Sequence, residues 1–565
     1  DDEGAGSTEE DITELREGAE VSPLLALNYR LTRSSGLGYS IACMVFSLLA
    51  VYILLVVFVT GLSHVSAVRF FIVSAVPLGL IYLILMLPWS VPDTGSHILA
   101  TYRLSNIVMG ADQDAEWQVR AQDADFFPVE WKEGKIETPF LPDTEDYARV
   151  FLRSSAGKDE SAESDGRKMV DYFADRKMEY YSILCYLPQV IGFSLGRLLH
   201  LGTAGTLYLG RVLILVAYIA ACARAIWITP VGKGVFASIA LLPMCLMLSS
   251  SYSYDAMVMI STISFTASIL RLCHEPDNRF ALAESAIWAF AIGGVKGGGY
   301  LILLPLVLIL FMTGRRNGVT GSGMSGVNDK QVNEYGDYDG YDGVNEYTGH
   351  KAGGRQARRA GFTRAGIILG AGVVSVLIFD LILPSGSLFQ FGEAGTGRMT
   401  ASYALFHPLR YLNMLLGAFL VNADSLTLNM AGTRLSWLEY TIPAVCIAGL
   451  LGVTAVWAVF ERDQLRFNGR DKRIFLAVIL LEFLLTPAML LSWTPVGSKW
   501  IIGLQGRYFL PVLPLIYFVF AKFRLARSVD CPKQEEAEIS RNCMRWICVL
   551  SCACVYYMLC TYLTR

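Results

Sequence analysis

Two stretches near the start of the chain restrict what it can fold into, because each is a run of about twenty mainly apolar residues. They cover residues 40–61 and 68–87. A helix rises about 1.5 Å per residue, so a run of this length can cross the roughly 30 Å hydrocarbon core of a bilayer. Within that core the backbone must satisfy its own hydrogen bonds, and a helix does so inside one segment. We therefore predict two membrane-spanning helices here.

Further apolar runs follow along the chain, and with the first two they predict roughly twelve membrane-spanning helices. Hydrophobic residues make up 53% of the 565 residues and charged residues only 17%. A soluble domain of this size could not place that many apolar residues away from water. The predicted fold class is an all-α integral membrane protein. The further runs cover residues 206–228, 232–249, 254–272, 280–294, 299–313, 362–384, 437–460, 473–493, 507–524 and 545–563.

The charge pattern excludes duplex nucleic acid as a partner. The formal net charge is −3, and the basic residues are scattered among apolar runs instead of forming a stripe. Most of the twelve cysteines lie inside apolar runs, where cysteine behaves as a small hydrophobe, and those near the C-terminal end lack Cys-x-x-Cys spacing. The cysteines therefore indicate neither a metal site nor a disulfide framework.

The first half of the chain divides into a tail and a transmembrane core. Residues 1–38 are acidic and poor in large apolar residues, which predicts a flexible tail. Residues 39–313 form the predicted N-terminal core, which includes a large polar loop at 91–205. Near its end, residues 180–200 predict a helix of moderate hydrophobicity that lies along the membrane interface.

The second half contains a low-complexity loop and the remaining helices. Residues 314–361 are rich in Gly, Asn, Asp and Tyr and are predicted to be disordered. Basic residues edge this loop and two later ones, and the positive-inside rule makes all three cytoplasmic. Residues 362–565 carry the C-terminal helices, with a polar loop at 385–436. Counting helices back from the cytoplasmic loops places residues 385–436 and 91–205 outside the cytoplasm. The sequence does not decide on which side of the membrane the N-terminus lies.

The boundary after the second apolar run carries the leading candidate for catalysis, Asp93. It follows Pro92, where the second helix would leave the bilayer. An exposed carboxylate at a helix end can accept a proton as a general base. His97 lies four residues later, on the same face if a helix resumes, and can contact substrate. The alternative is that this stretch is only a helix stop or N-cap signal.

Five further charged residues lie at helix boundaries or in loops on the predicted outer side. Asp255 opens an apolar run and could contact substrate or cap the helix. A lysine among glycines at membrane depth, Lys296, can bind an anion or snorkel to the surface. Arginines that start or flank outer helix ends can grip a phosphate with two donors. These arginines are Arg211, Arg398 and Arg507.

Several short motifs, taken in order, resemble a family of bacterial polytopic membrane proteins known as domain of unknown function 2142, which is grouped with the GT-C glycosyltransferases. The resemblance runs from about residue 70 to 525. The family pattern usually reads Pro-Asp-Glu where this chain has Thr94. The motifs are Pro92-Asp93-x-x-x-His97, Tyr186-Leu187-Pro188-Gln189, Leu242-Pro243-Met244, Ser251-x-Ser253-x-Asp255-Ala256, Lys296 with Tyr300, Leu435-Ser436-Trp437-Leu438 and Gln505-Gly506-Arg507-Tyr508-Phe509-Leu510-Pro511.

The resemblance implies a GT-C-like helix bundle whose first extracytoplasmic loop carries interfacial helices and the catalytic aspartate. It implies a glycosyltransferase of the bacterial cytoplasmic membrane that moves a sugar from a polyprenyl-phosphate donor to an envelope glycan or lipid-linked acceptor. Asp93 matches the loop aspartate, and Asp255, Lys296 and Arg507 match recurring polar positions. Some GT-C enzymes need a divalent cation such as Mg²⁺ or Mn²⁺, and the sequence leaves this cofactor open.

Two other functions fit the same sequence features. A transporter or flippase of a lipid-linked saccharide would also need charges in a helix bundle, but it should show inverted repeats and polar residues near mid-helix. A scaffold of a wall-synthesis complex would tolerate neutralisation of the interfacial charges. The concentration of charges at one face favours the transferase.

Overall fold

The computed structural model consists mainly of α-helices joined by short turns. Proline residues interrupt several apolar runs, since proline cannot donate the next helical hydrogen bond and instead starts a new helix. One such break divides the run at 232–249 just before Pro243. The structure describes residues 36–62, 66–88, 91–111, 118–124, 130–132, 135–137, 168–171, 182–313, 347–382, 398–400, 402–436, 438, 440–461, 467–520 and 533–564.

The helices of the first half are the elements that hold most of the candidate site. A 3₁₀ turn at Ile183–Cys185 precedes the fifth of them. They are α1 (Gly36–Gly61), α2 (Ala67–Leu85), α3 (Thr94–Val108), α4 (Ala121–Ala124), α5 (Leu187–Leu198), α6 (Thr203–Ile228), α7 (Lys233–Ala240), α8 (Pro243–Ser249), α9 (Asp255–His274) and α10 (Arg279–Gly294).

The second half contains more broken helices. Three 3₁₀ segments occur at Lys296–Ile309, Leu490–Trp493 and Gly506–Val512, and a π-helical turn at Leu377–Ile382. The α-helices are α11 (Leu310–Thr313), α12 (Tyr347–Val376), α13 (Ser402–Phe406), α14 (Pro408–Val421), α15 (Ala423–Ala431), α16 (Ala444–Phe460), α17 (Gly469–Met489), α18 (Leu513–Phe520) and α19 (Lys533–Thr564).

Strands occur only as short antiparallel pairs among the described residues. The first pair aligns Val119 with Val170, the second Trp131 with Ile136, and the third Leu435 with Tyr440. The strands are β1 (Gln118–Arg120), β2 (Glu130–Lys132), β3 (Lys135–Glu137), β4 (Met169–Asp171), β5 (Arg434–Leu435) and β6 (Tyr440–Thr441).

Within the described residues, seven helices are long and apolar enough to cross a membrane. A bent pair of helices, Pro408–Val421 and Ser425–Ala431, would make an eighth. The all-α membrane architecture agrees with the sequence, whereas the count of roughly twelve stays a prediction. The seven are Ser40–Gly61, Ala67–Leu85, Thr203–Ile228, Asp255–His274, Arg359–Phe379, Gly469–Trp493 and Gln534–Tyr562.

The predicted number of spans exceeds the seven candidate spans because the hydropathy pattern does not distinguish short apolar helices from membrane-spanning ones. Three of them are Lys296–Ile309, Ala444–Phe460 and Gly506–Phe520. Each is shorter than the roughly 20 residues that a straight span needs. Glycine or proline residues shorten the first and the third, at Gly297 and Pro511.

The helix α9 lies at the centre of the bundle, with nearly all of its residues buried. Its sequence explains the position, because it is rich in small hydroxyl side chains that let neighbouring backbones approach. Those hydroxyls donate to carbonyl oxygens one turn earlier, as Ser261 does to Met257 and Thr266 to Thr262. These hydroxyls are therefore satisfied within the helix, whereas the buried Ser264 hydroxyl has no hydrogen-bond partner among the described residues.

The segment after β1 is fixed to α3 and α6 by a buried polar cluster. The Asp123 carboxylate accepts hydrogen bonds from the Tyr102 hydroxyl at 2.8 Å and from the Thr203 hydroxyl at 2.6 Å. Arg120 pairs with the same carboxylate at 2.7 Å and donates to the Leu201 carbonyl oxygen. Because every member is satisfied, the cluster is rigid and keeps α3 in place.

The helices α5 and α6 approach so closely that their backbones touch at Gly192. A Cβ atom there would lie 2.6 Å from the Leu209 carbonyl oxygen and 2.8 Å from the Gly210 Cα atom. We expect Gly192→Val to lower the free energy of unfolding by about 1–3 kcal/mol, since rigid backbone must move. Gly366→Val on α12 is the control, because Gly366 faces open space. Equal melting temperatures for the two variants would contradict this packing.

Several predicted segments fall on residues outside the described part of the chain. These include residues 1–35 of the acidic tail and 314–346 of the low-complexity loop. The helix α12 begins at Tyr347, inside the range predicted as a loop. Within the polar loop at 385–436, the described residues form α13, α14 and α15. The domain boundaries themselves stay predictions.

Candidate functional site

The centre of the candidate site is Asp255, the first residue of α9, which pairs with two cations. The Lys296 Nζ atom lies 3.1 Å from one carboxylate oxygen and the Arg507 Nε atom 3.1 Å from the other. The Arg507 N–H is not aligned with its oxygen, so that contact is an ion pair without a hydrogen bond. The side chains of Asp255 and Arg507 are more than nine-tenths buried. Such charges are tolerated in a protein interior only when they are paired.

The backbone that carries Lys296 has an unusual conformation. Lys296, Gly297 and Gly298 have φ angles of 50°, 57° and 66°, so three successive residues are left-handed. Side chains with a Cβ atom avoid this region, whereas glycine enters it without penalty. The Gly-Gly pair therefore allows α10 to end at Gly294 and the chain to turn into the next segment. A strained lysine at such a turn is typical of functional sites.

Arg507 is held in place by the glycine before it. A Cβ atom at Gly506 would lie 2.8 Å from both the Leu426 carbonyl oxygen and the Met430 nitrogen. Only glycine therefore lets the Gly506–Val512 segment lie directly against the backbone of α15. This contact with α15, a helix distant in sequence, fixes the position of the Arg507 guanidinium group.

Three tyrosine rings surround the Lys296 ammonium group. Its Nζ atom lies 4.2 Å from the ring centre of Tyr508, 5.0 Å from that of Tyr254 and 5.9 Å from that of Tyr300. The Tyr300 hydroxyl donates to the Tyr508 carbonyl oxygen at 3.3 Å. Aromatic faces attract cations, so the rings stabilise the ammonium charge away from bulk water.

Asp93 faces this group of charges from the turn between α2 and α3. Its φ angle is 61°, and its side chain reaches the protein surface. Crowding by protein atoms raises its pKa above the ordinary aspartate value; the positive charge of Arg507 opposes this rise, Asp255 adds to it and Lys296 again opposes it. A carboxylate whose pKa is raised holds a transferred proton more firmly. The position suits a general base beside a cationic cluster.

His97 lies one turn into α3 and is fully buried. Its Nδ1 atom is 2.6 Å from the Tyr186 hydroxyl, and its ring packs edge-on against Tyr254 with centres 4.7 Å apart. Burial lowers the pKa of His97 to about 3. The imidazole is therefore neutral at physiological pH and carries no positive charge into the cluster.

This neutral histidine predicts a pH dependence of stability. A group whose folded pKa lies below its unfolded value binds fewer protons when folded, so stability rises with pH between the two values. We expect the melting temperature to fall as the pH drops from about 6.5 towards 3, through the interval between the unfolded and folded pKa values of His97. His97→Gln should flatten part of this decline, as measured by thermal unfolding between pH 4 and 7. An unchanged slope in that variant would show that other groups cause the decline.

Two of the seven residues predicted for the site lie elsewhere. Arg211 is fully buried and donates to the carbonyl oxygens of Ser250 at 2.6 Å and Met86 at 2.5 Å. It therefore ties α6 to the ends of α8 and α2. Arg398 is exposed and lies over the ring of Trp493, 5.5 Å from its centre. Their predicted role in binding phosphate has no support from these contacts.

A residue that the sequence reasoning missed is Glu482, in the middle of α17. It has no exposed surface, and its helix packs against the segment that begins with Lys296. The signal was present, because Glu482 is the lone charge in the apolar run after Arg473. An ionisable residue within a span marks a functional site by default.

Few side chains in this cluster could coordinate a metal ion. Among the described residues, no group of three or more histidine, cysteine, aspartate or glutamate side chains could hold an ion. Both Asp255 oxygens already face cations, which leaves Asp93 as the accessible carboxylate of the cluster. Within the described part of the chain, the side chains of this cluster do not form a site for a divalent cation.

The sequence from residue 88 to residue 516 matches a protein family described as predicted membrane protein, DUF2142. This region is most of the chain, and it contains Asp93, His97, Asp255, Lys296 and Arg507. The chain belongs to the DUF2142 family. No curated protein and no solved structure matches it. The charged cluster is thus a feature of the DUF2142 region of this multi-pass membrane protein.

Proposed function

We propose that this DUF2142 protein is a membrane glycosyltransferase of the GT-C type. It would transfer a sugar from a polyprenyl-phosphate donor to an envelope glycan or a lipid-linked acceptor. One observation carries the proposal: the exposed carboxylate of Asp93 is within electrostatic reach of the half-buried Lys296 and the buried Arg507, which both pair with Asp255 at the end of an apolar helix. The acceptor hydroxyl needs a base and the anionic lipid headgroup needs cations, so the two kinds of group must lie side by side.

The proposed reaction is a single displacement with inversion at the anomeric carbon. Asp93 takes the proton of the acceptor hydroxyl while that oxygen forms a bond to the sugar. The bond between the anomeric carbon and the phosphate oxygen breaks, and its electron pair leaves with the polyprenyl phosphate. Lys296 and Arg507 stabilise the charge that develops there, and a guanidinium can do so with two donors.

Asp255 keeps the two cations together before the donor arrives. Without it, two positive charges would be buried side by side, which is costly. A phosphate of the donor can replace the carboxylate as the partner of both cations, so the site is preorganised for an anion of similar geometry. In this proposal the tyrosines around Lys296 contact the uncharged sugar, and the buried, neutral His97 packs behind the ring of Tyr254.

The location of the site supports work at a membrane surface. Asp93 lies directly after the candidate span Ala67–Leu85, and Asp255 opens another candidate span. A lipid-linked substrate can therefore keep its chain among apolar helices while its headgroup reaches both residues. We place the site on the extracytoplasmic face of a bacterial cytoplasmic membrane, because the basic loops predict the opposite face to be cytoplasmic.

Transfer by the purified protein tests this proposal. We expect protein in proteoliposomes to move labelled sugar from a polyprenyl-phosphate donor to a lipid-linked or glycan acceptor, with release of polyprenyl phosphate. The control is Lys296→Met, which keeps the apolar stem but removes the charge. Movement of the intact donor across the bilayer without transfer would replace this proposal with the flippase. Wild-type function in cells carrying charge-neutral variants would instead indicate a scaffold.

A further inference from the structure

Glu482 is an intramembrane carboxyl group that the proposed reaction does not use. It lies roughly 20 Å from the start of α17 and roughly 10 Å from its end, so it is deep in the candidate span Gly469–Trp493. One of its oxygens accepts a hydrogen bond from the Thr486 hydroxyl at 2.7 Å. The other is buried without a hydrogen-bond partner among the described residues. Such a group is expensive unless a partner reaches it in another state.

The surroundings hold Glu482 firmly beside the charged cluster. The neighbouring Phe483 ring stacks on Phe509 with centres 4.2 Å apart and planes 2° apart. Phe509 is two residues from Arg507, so α17 and the segment that carries this arginine move together. On the other side, the Tyr411 hydroxyl donates to the Leu484 carbonyl oxygen. Glu482 therefore cannot leave the cluster without breaking this packing.

The segment that begins with Lys296 packs along α17, where a Cβ atom at Gly299 would lie 3.4 Å from the Met489 Cε atom. Lys296 is the cation that this packing brings towards Glu482. Its ammonium group carries three donors on a flexible stem, and one of them now points to Asp255. The backbone below it is the left-handed turn at Lys296–Gly298, where the ordinary helix is interrupted. A flexible stem lets the lysine side chain adopt other rotamers, and carboxyl groups lie on two different helices that pack against its segment.

We infer that Glu482 is a second, alternative partner of Lys296, and that the ammonium group moves from Asp255 to Glu482. The inference rests on the orphaned carboxyl oxygen, the fixed position of α17 and the packing of the Lys296 segment against that helix. Glu482 is then a positioning residue, since it acts through the lysine. The pairing itself does not depend on glycosyl transfer.

The consequence for catalysis rests on the proposed function. When the phosphate of the donor pairs with Arg507 and displaces Asp255, Lys296 can bind either the phosphate or Glu482. Movement towards Glu482 weakens the hold on the leaving polyprenyl phosphate and favours its release. Glu482→Gln should therefore reduce the turnover number more than the KM for the donor, because product release slows.

A double-mutant cycle on stability tests the pairing without any activity assay. We expect Glu482→Gln alone to lower the melting temperature by less than about 4 °C, because Asp255 still pairs with Lys296. Asp255→Asn alone should lower it further, because the buried Arg507 loses its carboxylate while Glu482 still serves Lys296. The double variant leaves the buried ammonium without a carboxylate, and its melting temperature should fall by more than the sum of the two shifts. A fall equal to the sum would overturn the inference.

A second cycle keeps the inference testable if Asp255→Asn does not fold. In a Lys296→Met background, Glu482→Gln removes a carboxyl group that has lost its cation, so it should raise the melting temperature. In the wild-type background the same substitution should lower it. Identical shifts in the two backgrounds would refute the pairing. The matched control is Glu461→Gln, at the far end of α16, where the carboxylate accepts from the Gly234 N–H and should show additive effects.

Discussion

Replacing Asp93 by Asn is expected to reduce the turnover number for glycosyl transfer about 10²–10⁴-fold, the range for loss of a general base. The amide is nearly the same size and cannot accept a proton at neutral pH. Binding of the donor should change little, because Lys296 and Arg507 hold its phosphate. Rates with a polyprenyl-phosphate sugar donor, measured at saturating concentration, check the prediction.

The pH profile separates catalysis by Asp93 from an indirect effect. The base works only when it is ionised, so the wild-type rate should fall as the pH drops through its pKa. Crowding by protein atoms raises that pKa, and the acid limb of the profile should therefore lie above the ordinary aspartate range. Asp93→Asn should lose this limb. Unchanged turnover in the variant would remove Asp93 from the mechanism and leave the cationic cluster as a binding site.

Replacing Arg507 by Met should lower kcat/KM for the donor about 10²–10³-fold, since a preorganised donor to the developing phosphate charge is lost. Arg507→Lys should recover only part of the loss, because an ammonium group cannot bind a phosphate with two parallel donors. Both effects should appear as weaker donor binding as well as slower transfer.

Arg398→Met is the matched control for Arg507. Arg398 is also an arginine of the DUF2142 region, but it is exposed and lies against Trp493, outside the charged cluster. Its replacement should change kcat/KM by less than about threefold, as expected for a solvated charge. Equal losses in the Arg398 and Arg507 variants would show that phosphate is bound elsewhere.

Much of the candidate site could be predicted from where charges interrupt apolar sequence. Asp93, Asp255, Lys296 and Arg507 each lie where an apolar run begins or ends, and the structure brings them together. Residues at helix boundaries on one face of a bundle lie in the same thin layer. Their proximity can therefore be predicted without knowing which helices contact each other. The family itself was also predicted, from motifs that include these positions.

Other features depended on information that a hydropathy pattern does not contain. Arg211 also lies near a helix boundary, but its direction on α6 sends it into carbonyl oxygens of neighbouring helices. The number of spans was harder to predict because short 3₁₀ and broken helices have the same composition as spans. Glu482 was missed because a position in the middle of a span does not indicate which neighbouring helix the side chain faces. A position at a helix boundary, in contrast, places a residue in the same layer as other boundary residues.

The separation of the paired charges along the chain has a consequence for biosynthesis. Asp255 and Lys296 enter the membrane early and can already form a neutral pair, whereas Arg507 is made some two hundred residues later. An incomplete nascent chain therefore has a balanced pair of charges but no guanidinium to grip a phosphate. Only when the C-terminal helices insert, and Gly506 meets α15, does the polypeptide acquire its anion clamp. The proposed phosphate site is thus complete only in a chain whose C-terminal helices have inserted.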